Sequence, residues 1–461
     1  MPLPDLIEIV PLDKPLRAEI TVPGSKSITN RALVLAALAD GETILTGALW
    51  SEDTQIMVEC LQDLGFMVNV APDPDEVCNR TITVYGQGGD IPPGGTEERP
   101  LELFVGNAGT AARFLAAFVC LGRGVFKLHG VPRMNERPKA ALFQALRELG
   151  YRVDSPTDKL PAIIHGSGPK PGASCTVNIE ESSQFASALM LCAKVGGWNV
   201  EVVGENAEES PYVAMTLKLI EAFPNRGGKF SIEPDASSGS YFLAAGQIAE
   251  SPAFMEYSEQ FGIEVETRLL NHVTVTKWPH SGWQIDENFL MFSITGPGID
   301  VPLAMRQQIP SVKDVSRATD LGDSIMTAVV MTAFGKPHSQ NIRFTDLGRL
   351  RLQETERVIA LRTELTKCGA KVVEEGDTLT VYPSKLLGAE IETYNDHRMA
   401  MCFAILGLKV PGIKLKNPAC VKKTFPNFFQ KLAAAPPHGL GATILDATTG
   451  RKLSHDELFA E

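Results

Sequence analysis

The chain has 461 residues, 44% of them hydrophobic, which is enough for two large domains or three ordinary ones with deep cores. Its formal net charge is −12, from 55 acidic and 43 basic residues, which argues against a nucleic-acid or anionic-membrane partner because such partners call for a basic face. The first residues lack the basic and apolar regions of a signal peptide, and no run approaches the ~20 apolar residues that span a bilayer, so we expect a cytoplasmic protein.

One pattern recurs six times along the chain: a polar turn rich in Ser, Asn, Asp or Gly, then a run dominated by Ala, Leu and Met. Runs that are apolar on most faces predict buried helices rather than surface ones. Six copies indicate a degenerate repeat of three plus three. In chain order they are "SKSITNRALVLAALADG" from 25, "GNAGTAARFLAAFVCLG" from 106, "EESSQFASALMLCAKVG" from 181, "PDASSGSYFLAAGQIA" from 234, "TDLGDSIMTAVVMTAFG" from 319 and "YNDHRMAMCFAILG" from 394.

Amphipathic helices and strands are predicted between the buried helices. The helices are 51–65, 137–150 and 353–369, and β-like runs occupy 273–278 and 378–382. This alternation predicts two similar α/β domains with internal helices surrounded by sheet and outer helices, and a boundary near residues 233–235. Residues after 434 have no strong pattern and are either a docked appendage or a mobile tail.

Several predicted buried helices have a cation near their first turn, against the acidic background of the chain. Lys26 and Arg31 belong to the first helix, Arg113 to the second and Arg398 to the sixth. Helix N-termini bind anions through unpaired N–H groups. A single hydroxyl residue at a helix start is more often a plain N-cap than an anion ligand. A single arginine is likewise more often a surface residue. The coincidence favours a small anionic ligand, because an apolar helix meant only for packing needs no cation near its buried face.

Further basic residues lie in polar, proline-bearing turns: Arg133, Arg137, Arg357, Lys422 and Lys423. Arginine binds phosphate and carboxylate bidentately, and lysine supplies a mobile charge or, when desolvated, a proton. So many cations exceed the needs of one carboxylate. They indicate two anionic substrates, or one substrate with several anionic groups.

Candidate acid and base groups lie beside these cationic turns: Asp323, Glu354, Asp396 and His397. A carboxylate near several cations is held ionised, which suits a base, although a lone histidine is more often structural. The sequence has no GxxxxGK[ST], no strand-linked GxGxxG and no metal-spaced His/Cys cluster, so it does not support nucleotide or metal chemistry. The eight cysteines are far apart without a CxxC pair, which predicts buried free thiols.

In their order from about residue 14 to 432, nine motifs resemble the 5-enolpyruvylshikimate-3-phosphate synthase family of enolpyruvyl transferases. That family has two domains of three βαβαββ units each, with buried helices aimed at the interdomain cleft. The resemblance implies an N-terminal domain over 25–233 and a C-terminal domain formed by 1–24 and 234–461. The motifs are "PGSK…NRAL", "GNAGTAAR", "PRM.ERP", "ESSQF", "DASSGSYF", "GD…MT", "ETER", "YNDHRMAMCF" and "KKTFP".

The family moves the enolpyruvyl group of phosphoenolpyruvate to the 5-hydroxyl of shikimate 3-phosphate and releases phosphate through a tetrahedral ketal, with no metal or cofactor. The resemblance therefore implies these two small-molecule substrates, in a chain we expect to be monomeric. It assigns shikimate 3-phosphate mainly to the N-terminal domain, while the C-terminal domain completes the phosphoenolpyruvate site. Fixed charges of both domains would position the two polyanions and stabilise the transition state.

The resemblance also implies roles for single residues. Asp323 resembles the base that takes the 5-hydroxyl proton, Lys26 the proton donor to the enolpyruvyl methylene, and Glu354 and His397 their proton-handling neighbours. Residues that resemble the phosphoenolpyruvate side are Gly109, Arg113, Arg137, Arg357, Arg398 and Lys423. Residues that resemble contacts to shikimate 3-phosphate, or to both substrates, are Lys26, Ser27, Arg31, Ser182, Ser183, Gln184, Tyr212, Asp323 and Gln353.

The chain departs from the family pattern at four places. Gln353 replaces a lysine of many members, and Glu209 lies near the expected substrate phosphate unless Ser210 takes that role. Phe114 stands where proline is common. After "AAGQIA" the usual strand and Gln-Gly-Asp turn give way to "ESPAFMEY", which indicates a lost or rebuilt element.

Two other functions fit part of the pattern. A sister transferase acting on UDP-N-acetylglucosamine shares the fold and the donor, but it has a Gly-Ala-Lys-Asn turn where this chain has "GSKS", and it generally uses a loop cysteine. A non-catalytic protein that binds phosphorylated metabolites is the alternative from another class. Turnover with shikimate 3-phosphate separates the three hypotheses.

Overall fold

The architecture comes from a computed structural model, which describes residues 3–13, 16–204, 210–249, 273–295, 314–334 and 341–461. The chain divides into two compact units. The first unit is Pro23–Glu233, and the second unit combines Met1–Val22 with Pro234–Glu461. Glu209 and the segment after "AAGQIA", both singled out above, lie outside the described residues.

Helices occur throughout both units. They are α1 (Lys26–Leu38), α2 (Glu52–Asp63), α3 (Gly109–Phe118), α4 (Pro132–Glu136), α5 (Ala140–Glu148), α6 (Gln184–Gly196), α7 (Pro211–Ala222), α8 (Ala236–Ala249), α9 (Phe289–Thr295), α10 (Ile325–Phe334), α11 (Arg357–Lys367), α12 (His397–Gly407) and α13 (Phe428–Ala433). Among the residues that the structure describes, no helix is long and apolar enough to cross a membrane.

The strands are short. They are β1 (Leu6–Val10), β2 (Ala18–Ile20), β3 (Asp40–Leu49), β4 (Val68–Pro72), β5 (Asn79–Gln87), β6 (Leu101–Phe104), β7 (Arg123–His129), β8 (Arg152–Asp154), β9 (Ala162–Ser167), β10 (Ser174–Asn178), β11 (Asn199–Val203), β12 (Gly228–Ser231), β13 (Val273–Val275), β14 (Asp314–Ser316), β15 (Ile342–Thr345), β16 (Lys371–Glu375), β17 (Thr378–Tyr382), β18 (Glu390–Ile391), β19 (Ile413–Lys416) and β20 (Thr443–Asp446).

The four-stranded sheets share one topology. The first unit has the orders β12-β3-β5-β4, β6-β7-β9-β8 and β10-β11, and the second has β18-β19-β1-β20, β14-β15-β17-β16 and β13-β2. Each four-stranded sheet consists of one parallel pair followed by two antiparallel pairs. In four cases the strands of the parallel pair flank a buried helix: α3, α6, α10 or α12. This recurrence is the structural counterpart of the sequence repeat.

The six predicted buried helices are confirmed as α1, α3, α6, α8, α10 and α12. In α1 every residue from Ile28 to Leu38 is buried, and in α3 every residue of the helix is buried. The amphipathic helices are shorter than predicted. The helix predicted over 137–150 begins only at Ala140 because Arg137 precedes Pro138, and a residue before proline is held in an extended conformation.

The C-terminal residues are docked on the second unit rather than mobile. Strand β20 pairs with β1, so the N-terminal strand lies between two C-terminal ones. Leu453, Leu458 and Ala460 are buried, and the Ala460 N–H donates to the Pro426 carbonyl at 2.9 Å. Of the two alternatives for the tail, the docked appendage is therefore the one observed.

All eight cysteines are buried free thiols, as the sequence predicts. Burial raises the pKa values of Cys60, Cys368, Cys402 and Cys420 to about 12, so the reactive thiolate is scarce at neutral pH. We expect none of the eight to react with a thiol-specific chromogenic disulfide in the native protein, and all eight to react in denaturant. Rapid labelling of a native thiol would contradict this arrangement.

Candidate active site

Arg31 is the most deeply buried of the predicted anion-binding residues in the first unit, with 1% of its surface exposed. Its Nε donates to the Thr216 hydroxyl at 2.8 Å, and Nη2 donates to the Ser187 hydroxyl at 3.0 Å. Nη1 donates to the Ser27 carbonyl at 2.9 Å, one helical turn earlier in α1. Neutral oxygens thus fix the guanidinium in place.

Phe114 explains how this cation is accommodated in the core. Its ring lies 5.2 Å from the guanidinium carbon of Arg31, a cation–π distance. Burial lowers the pKa of Arg31 to about 10, so the side chain keeps its charge at neutral pH. Phe114, noted above as a departure from the family pattern, therefore serves as packing for Arg31.

Replacing Thr216 with valine removes the acceptor of Arg31 Nε while keeping the shape of the side chain. A buried donor without a partner costs about 1–3 kcal/mol, so we expect the free energy of unfolding to fall by about 2 kcal/mol. Urea titration measures the change. Thr332→Val is the matched control, because that buried hydroxyl donates to the Ala328 carbonyl in its own helix and, among the described residues, accepts from no arginine. Equal losses in both variants would contradict a specific role in holding Arg31.

Lys26 begins α1 and forms an ion pair with Asp53. Its Nζ lies 3.1 Å from Oδ2 of Asp53, whose side chain is 3% exposed, while the lysine itself is 18% exposed. The side chain of Ser27 is half-buried beside it. The ammonium is therefore held by a carboxylate on one side and remains accessible on the other.

A second cationic group surrounds the first residue of α3. A Cβ atom at Gly109 would lie 2.7 Å from Arg113 Nη1 and 2.8 Å from Arg137 Nη1, so only glycine allows both guanidinium groups to approach this helix terminus. Arg113 Nη1 donates to the Gly109 carbonyl at 3.1 Å and to Gln184 Oε1 at 3.0 Å. Within the described residues, the buried Nε of Arg137 has no hydrogen-bond partner.

The remaining predicted residues of the first unit lie at the starts of α6 and α7. Ser182 Oγ accepts from the Gln184 N–H at 3.3 Å, and the buried Ser183 is the N-cap residue of α6. The Tyr212 carbonyl accepts from the Thr216 hydroxyl at 2.7 Å. Thr216, which also accepts from Arg31, therefore joins Tyr212 to the surroundings of Arg31.

Asp323 is the centre of a charged group in the second unit. Oδ1 accepts from Arg317 Nη2 at 2.6 Å, and Oδ2 lies 3.2 Å from Arg398 Nη2. Burial alone would raise the pKa of Asp323, but Arg398, Arg317 and Arg357 outweigh it and hold that pKa well below its usual range. The carboxylate is ionised at neutral pH, as a general base must be.

A tight turn positions Asp323 just before α10. Gly322 has φ +58°, and a Cβ there would lie 2.7 Å from Oδ2 of Asp286. Oδ1 of Asp286 accepts from the Ser324 N–H at 2.7 Å. Burial, with Asp323 nearby, raises the pKa of Asp286 to about 7, so one carboxylate near the base stays partly protonated.

Arg357 connects two carboxylates beside α12. Its Nε donates to Asp396 at 2.7 Å and its Nη2 to Glu354 at 2.9 Å, and Nη1 donates to Gln353 Oε1. Glu354 also pairs with Lys423 Nζ at 2.9 Å. Burial alone would lower the pKa of Arg357, but Asp396 and Glu354 outweigh it and raise that pKa. Gln353, predicted to contact substrate, here bonds to Arg357.

The N-terminus of α12 holds the last predicted residues. Asp396 is the N-cap, and it accepts from the Arg398 N–H at 2.9 Å. Arg398 also donates to the Ser237 hydroxyl at 3.1 Å and to the Tyr241 hydroxyl at 3.3 Å. His397 is buried, with Nδ1 4.0 Å from Asp396, which is beyond hydrogen-bond distance.

Sequence reasoning missed four charged residues of these groups: Asp53, Arg317, Asp286 and Lys139. Asp53 lies in an amphipathic helix, where an acidic residue is usually solvated. The sequence did contain a signal for Lys139, since this residue directly follows the "ERP" motif and precedes the first residue of an amphipathic helix, at a position that proves fully buried. Arg317 and Asp286 lie in segments without periodicity, so no pattern marked them.

The fold is that of the two-domain enolpyruvyl transferases. The chain is similar to the EPSP synthase of Acinetobacter baumannii, with a TM-score of 0.65 and 19% identity over 95% of this chain and 99% of that one. It is also similar to the enolpyruvyl transferase NikO of Streptomyces tendae, with a TM-score of 0.64 and 15% identity over 98% and 99% of the two chains. The predicted fold class is confirmed.

Sequence comparison then gives the family. The family model described as EPSP synthase (3-phosphoshikimate 1-carboxyvinyltransferase) matches residues 11–226 and 293–432. Relatives named 3-phosphoshikimate 1-carboxyvinyltransferase include one from Nostoc punctiforme, 34% identical over 93% of this chain and 98% of the relative, and one from Opitutus terrae, 35% identical over 94% and 98%. The chain belongs to the EPSP synthase family.

Proposed function

We propose that this protein is a 3-phosphoshikimate 1-carboxyvinyltransferase, which transfers the enolpyruvyl group of phosphoenolpyruvate to the 5-hydroxyl of shikimate 3-phosphate. The observation that supports this most strongly is the pair of arginines around Gly109. Two buried guanidinium groups at a helix N-terminus, with Arg137 Nε lacking a partner within the described residues, form a site that suits a phosphate dianion.

The reaction needs one base and one proton donor. In the proposed first step, Asp323 takes the proton of the 5-hydroxyl, whose oxygen attacks C2 of phosphoenolpyruvate while C3 gains a proton from Lys26. In the second step, the bond from C2 to the phosphate oxygen breaks, C3 loses a proton and phosphate leaves. Glu354 and His397 are the proposed proton-handling neighbours.

The binding roles follow the two charged groups. In the first unit we assign Ser27, Arg31, Ser182, Ser183, Gln184 and Tyr212 to shikimate 3-phosphate, and Gly109, Arg113 and Arg137 to phosphoenolpyruvate. In the second unit we assign Arg357, Arg398 and Lys423 to the anionic groups of phosphoenolpyruvate. Gln353 is neutral and accepts from Arg357, so we assign it to positioning Arg357 in place of the direct cationic contact that a lysine would make. We also propose that the enzyme is cytoplasmic and monomeric.

Phosphate release from phosphoenolpyruvate tests the function directly. The assay runs with shikimate 3-phosphate as acceptor, beside UDP-N-acetylglucosamine and an acceptor-free control. Release only with shikimate 3-phosphate is the expected result. Release with the nucleotide sugar would make the chain the sister transferase. Folded protein that binds shikimate 3-phosphate without releasing phosphate would be a binding protein, and the proposal would be wrong.

A further inference from the structure

Lys139 is a lysine fully enclosed by the first unit. It is the N-cap residue of α5 and has 0% of its surface exposed. Its Nζ lies 3.6 Å from the sulfur of Met134 and 3.5 Å from the carbonyl oxygen of Arg137, which are weak acceptors at long distances. A lysine that served only to fill this space would be less favourable than methionine, because burying an ammonium is costly.

The charged groups that act on Lys139 are themselves cations. Within the described residues these are Arg113 from α3 and Arg137 from the end of α4. The nearby acid Glu136 is turned toward Arg133, at 2.9 Å on the exposed side. Burial, with the two arginines, lowers the pKa of Lys139 to about 6, so at neutral pH the empty protein holds mostly the neutral amine.

The same two arginines meet at Gly109, as described above. Like charges assembled in a buried region repel one another unless an anion joins them. A phosphate dianion bound between Arg113 and Arg137 would cancel their two positive charges, so the arginines would no longer disfavour the ammonium form of Lys139. The neutral amine would then gain a proton from solvent.

We propose that Lys139 is a positioning residue of the phosphate pocket formed by Gly109, Arg113 and Arg137, and that it takes up one proton when a phosphate dianion binds. The inference rests on the proposed function, because it takes this pocket as the phosphate site of the enzyme. Lys139 acts on the anion through its charge and through the Arg137 carbonyl that its Nζ contacts. Anion binding is therefore weaker at higher pH.

Isothermal titration of inorganic phosphate into the full chain, saturated with shikimate 3-phosphate, tests this without turnover, since neither ligand carries an enolpyruvyl group. Titrations at about pH 7.5 in two buffers of different ionisation enthalpy give the number of protons taken up. The variants are Lys139→Met, which keeps the length and cannot be protonated, and Lys194→Met, the same change at an exposed position in α6.

For each phosphate bound, we expect the wild type and Lys194→Met to gain as much as one proton more than Lys139→Met does. We also expect Lys139→Met to bind phosphate roughly 10-fold more weakly than the wild type. The difference between proteins cancels the titration of phosphate itself. Equal proton uptake in wild type and Lys139→Met would overturn the inference. Sulfate, which stays a dianion, provides a second measurement on the wild type alone, and absence of uptake with sulfate would also overturn it.

If the proposed enzyme function is wrong, the titrations give a different result from the one expected if the Lys139 inference is wrong. A wild-type protein that does not bind shikimate 3-phosphate contradicts the function, whereas phosphate titrated without shikimate 3-phosphate still measures proton uptake by the pocket. Uptake that depends on Lys139 supports the inference in either case. Lys139→Arg separates charge from structure: a permanent cation should restore phosphate affinity but not proton uptake.

Discussion

Asp323→Asn is expected to lower kcat by about 10³-fold and to leave the fold intact, because a general base typically contributes 10²- to 10⁴-fold. Asparagine keeps one acceptor oxygen, which can still accept from Arg317, whereas its NH₂ group cannot accept from Arg398, so the turn before α10 retains one of its two arginine contacts. What is lost is the ability to accept the proton of the 5-hydroxyl. Phosphate release under saturating substrates measures kcat, and circular dichroism and thermal unfolding report on the fold.

Asp320→Asn provides the matched control in the same turn. Its carboxylate accepts from the Ser316 N–H at 2.7 Å and contacts no arginine that the structure describes. We expect its kcat to stay within a factor of three of wild type. A near-normal kcat for Asp323→Asn would exclude Asp323 as the base. Since the pKa of Asp323 lies below its usual range, its protonation should not reduce wild-type kcat anywhere above about pH 4.

Lys26→Met should lower kcat by at least about 10²-fold, because the proposed proton donor to the methylene carbon is removed. The change also leaves Asp53 as a buried carboxylate without its cation, and this alone disturbs the start of α1. Steady-state rates of phosphate release give the loss, and Lys194→Met, an exposed lysine, is the control for the substitution itself.

A double variant separates the two causes. In Lys26→Met with Asp53→Asn the stranded charge is absent, so thermal stability should return toward that of the wild type. If the lysine acts chemically, kcat stays low in the double variant. Recovery of kcat together with stability would show that Lys26 serves only to neutralise Asp53, and the role of proton donor would be wrong.

Much of the fold was predictable because its helices are unusual. An apolar run such as Ala32–Leu38 is too uniform for a surface helix, and the repetition of such runs indicates the three-plus-three arrangement before any strand is placed. Strand pairing was not predictable to the same degree. The partners of β1 are β19 and β20, at the opposite end of the chain, and short strands contain no information about such distant partners.

The candidate site, like the fold, was predictable from the sequence only in part. Cations at helix starts identified Lys26, Arg31 and Arg113, since a charge in an apolar helix is conspicuous in one dimension. Their partners were hidden, because the acceptors of Arg31 on Thr216 and Ser187 are 185 and 156 residues away in sequence. Such groups become neighbours only when separate helices pack together, and neither residue type is unusual where it stands.

The position of β1 between two late strands has a consequence for synthesis. A ribosome releases Leu6–Val10 long before residues 413–416 and 443–446 exist to pair with it, whereas the first unit is complete once residue 233 has been made. We therefore expect the first unit to fold while translation continues, and Ile7 and Ile9, buried in the finished protein, to remain exposed until the end. An unpaired apolar strand invites association with other chains and with chaperones. Synthesis of residues 413–446 thus determines when β1 stops being vulnerable to aggregation.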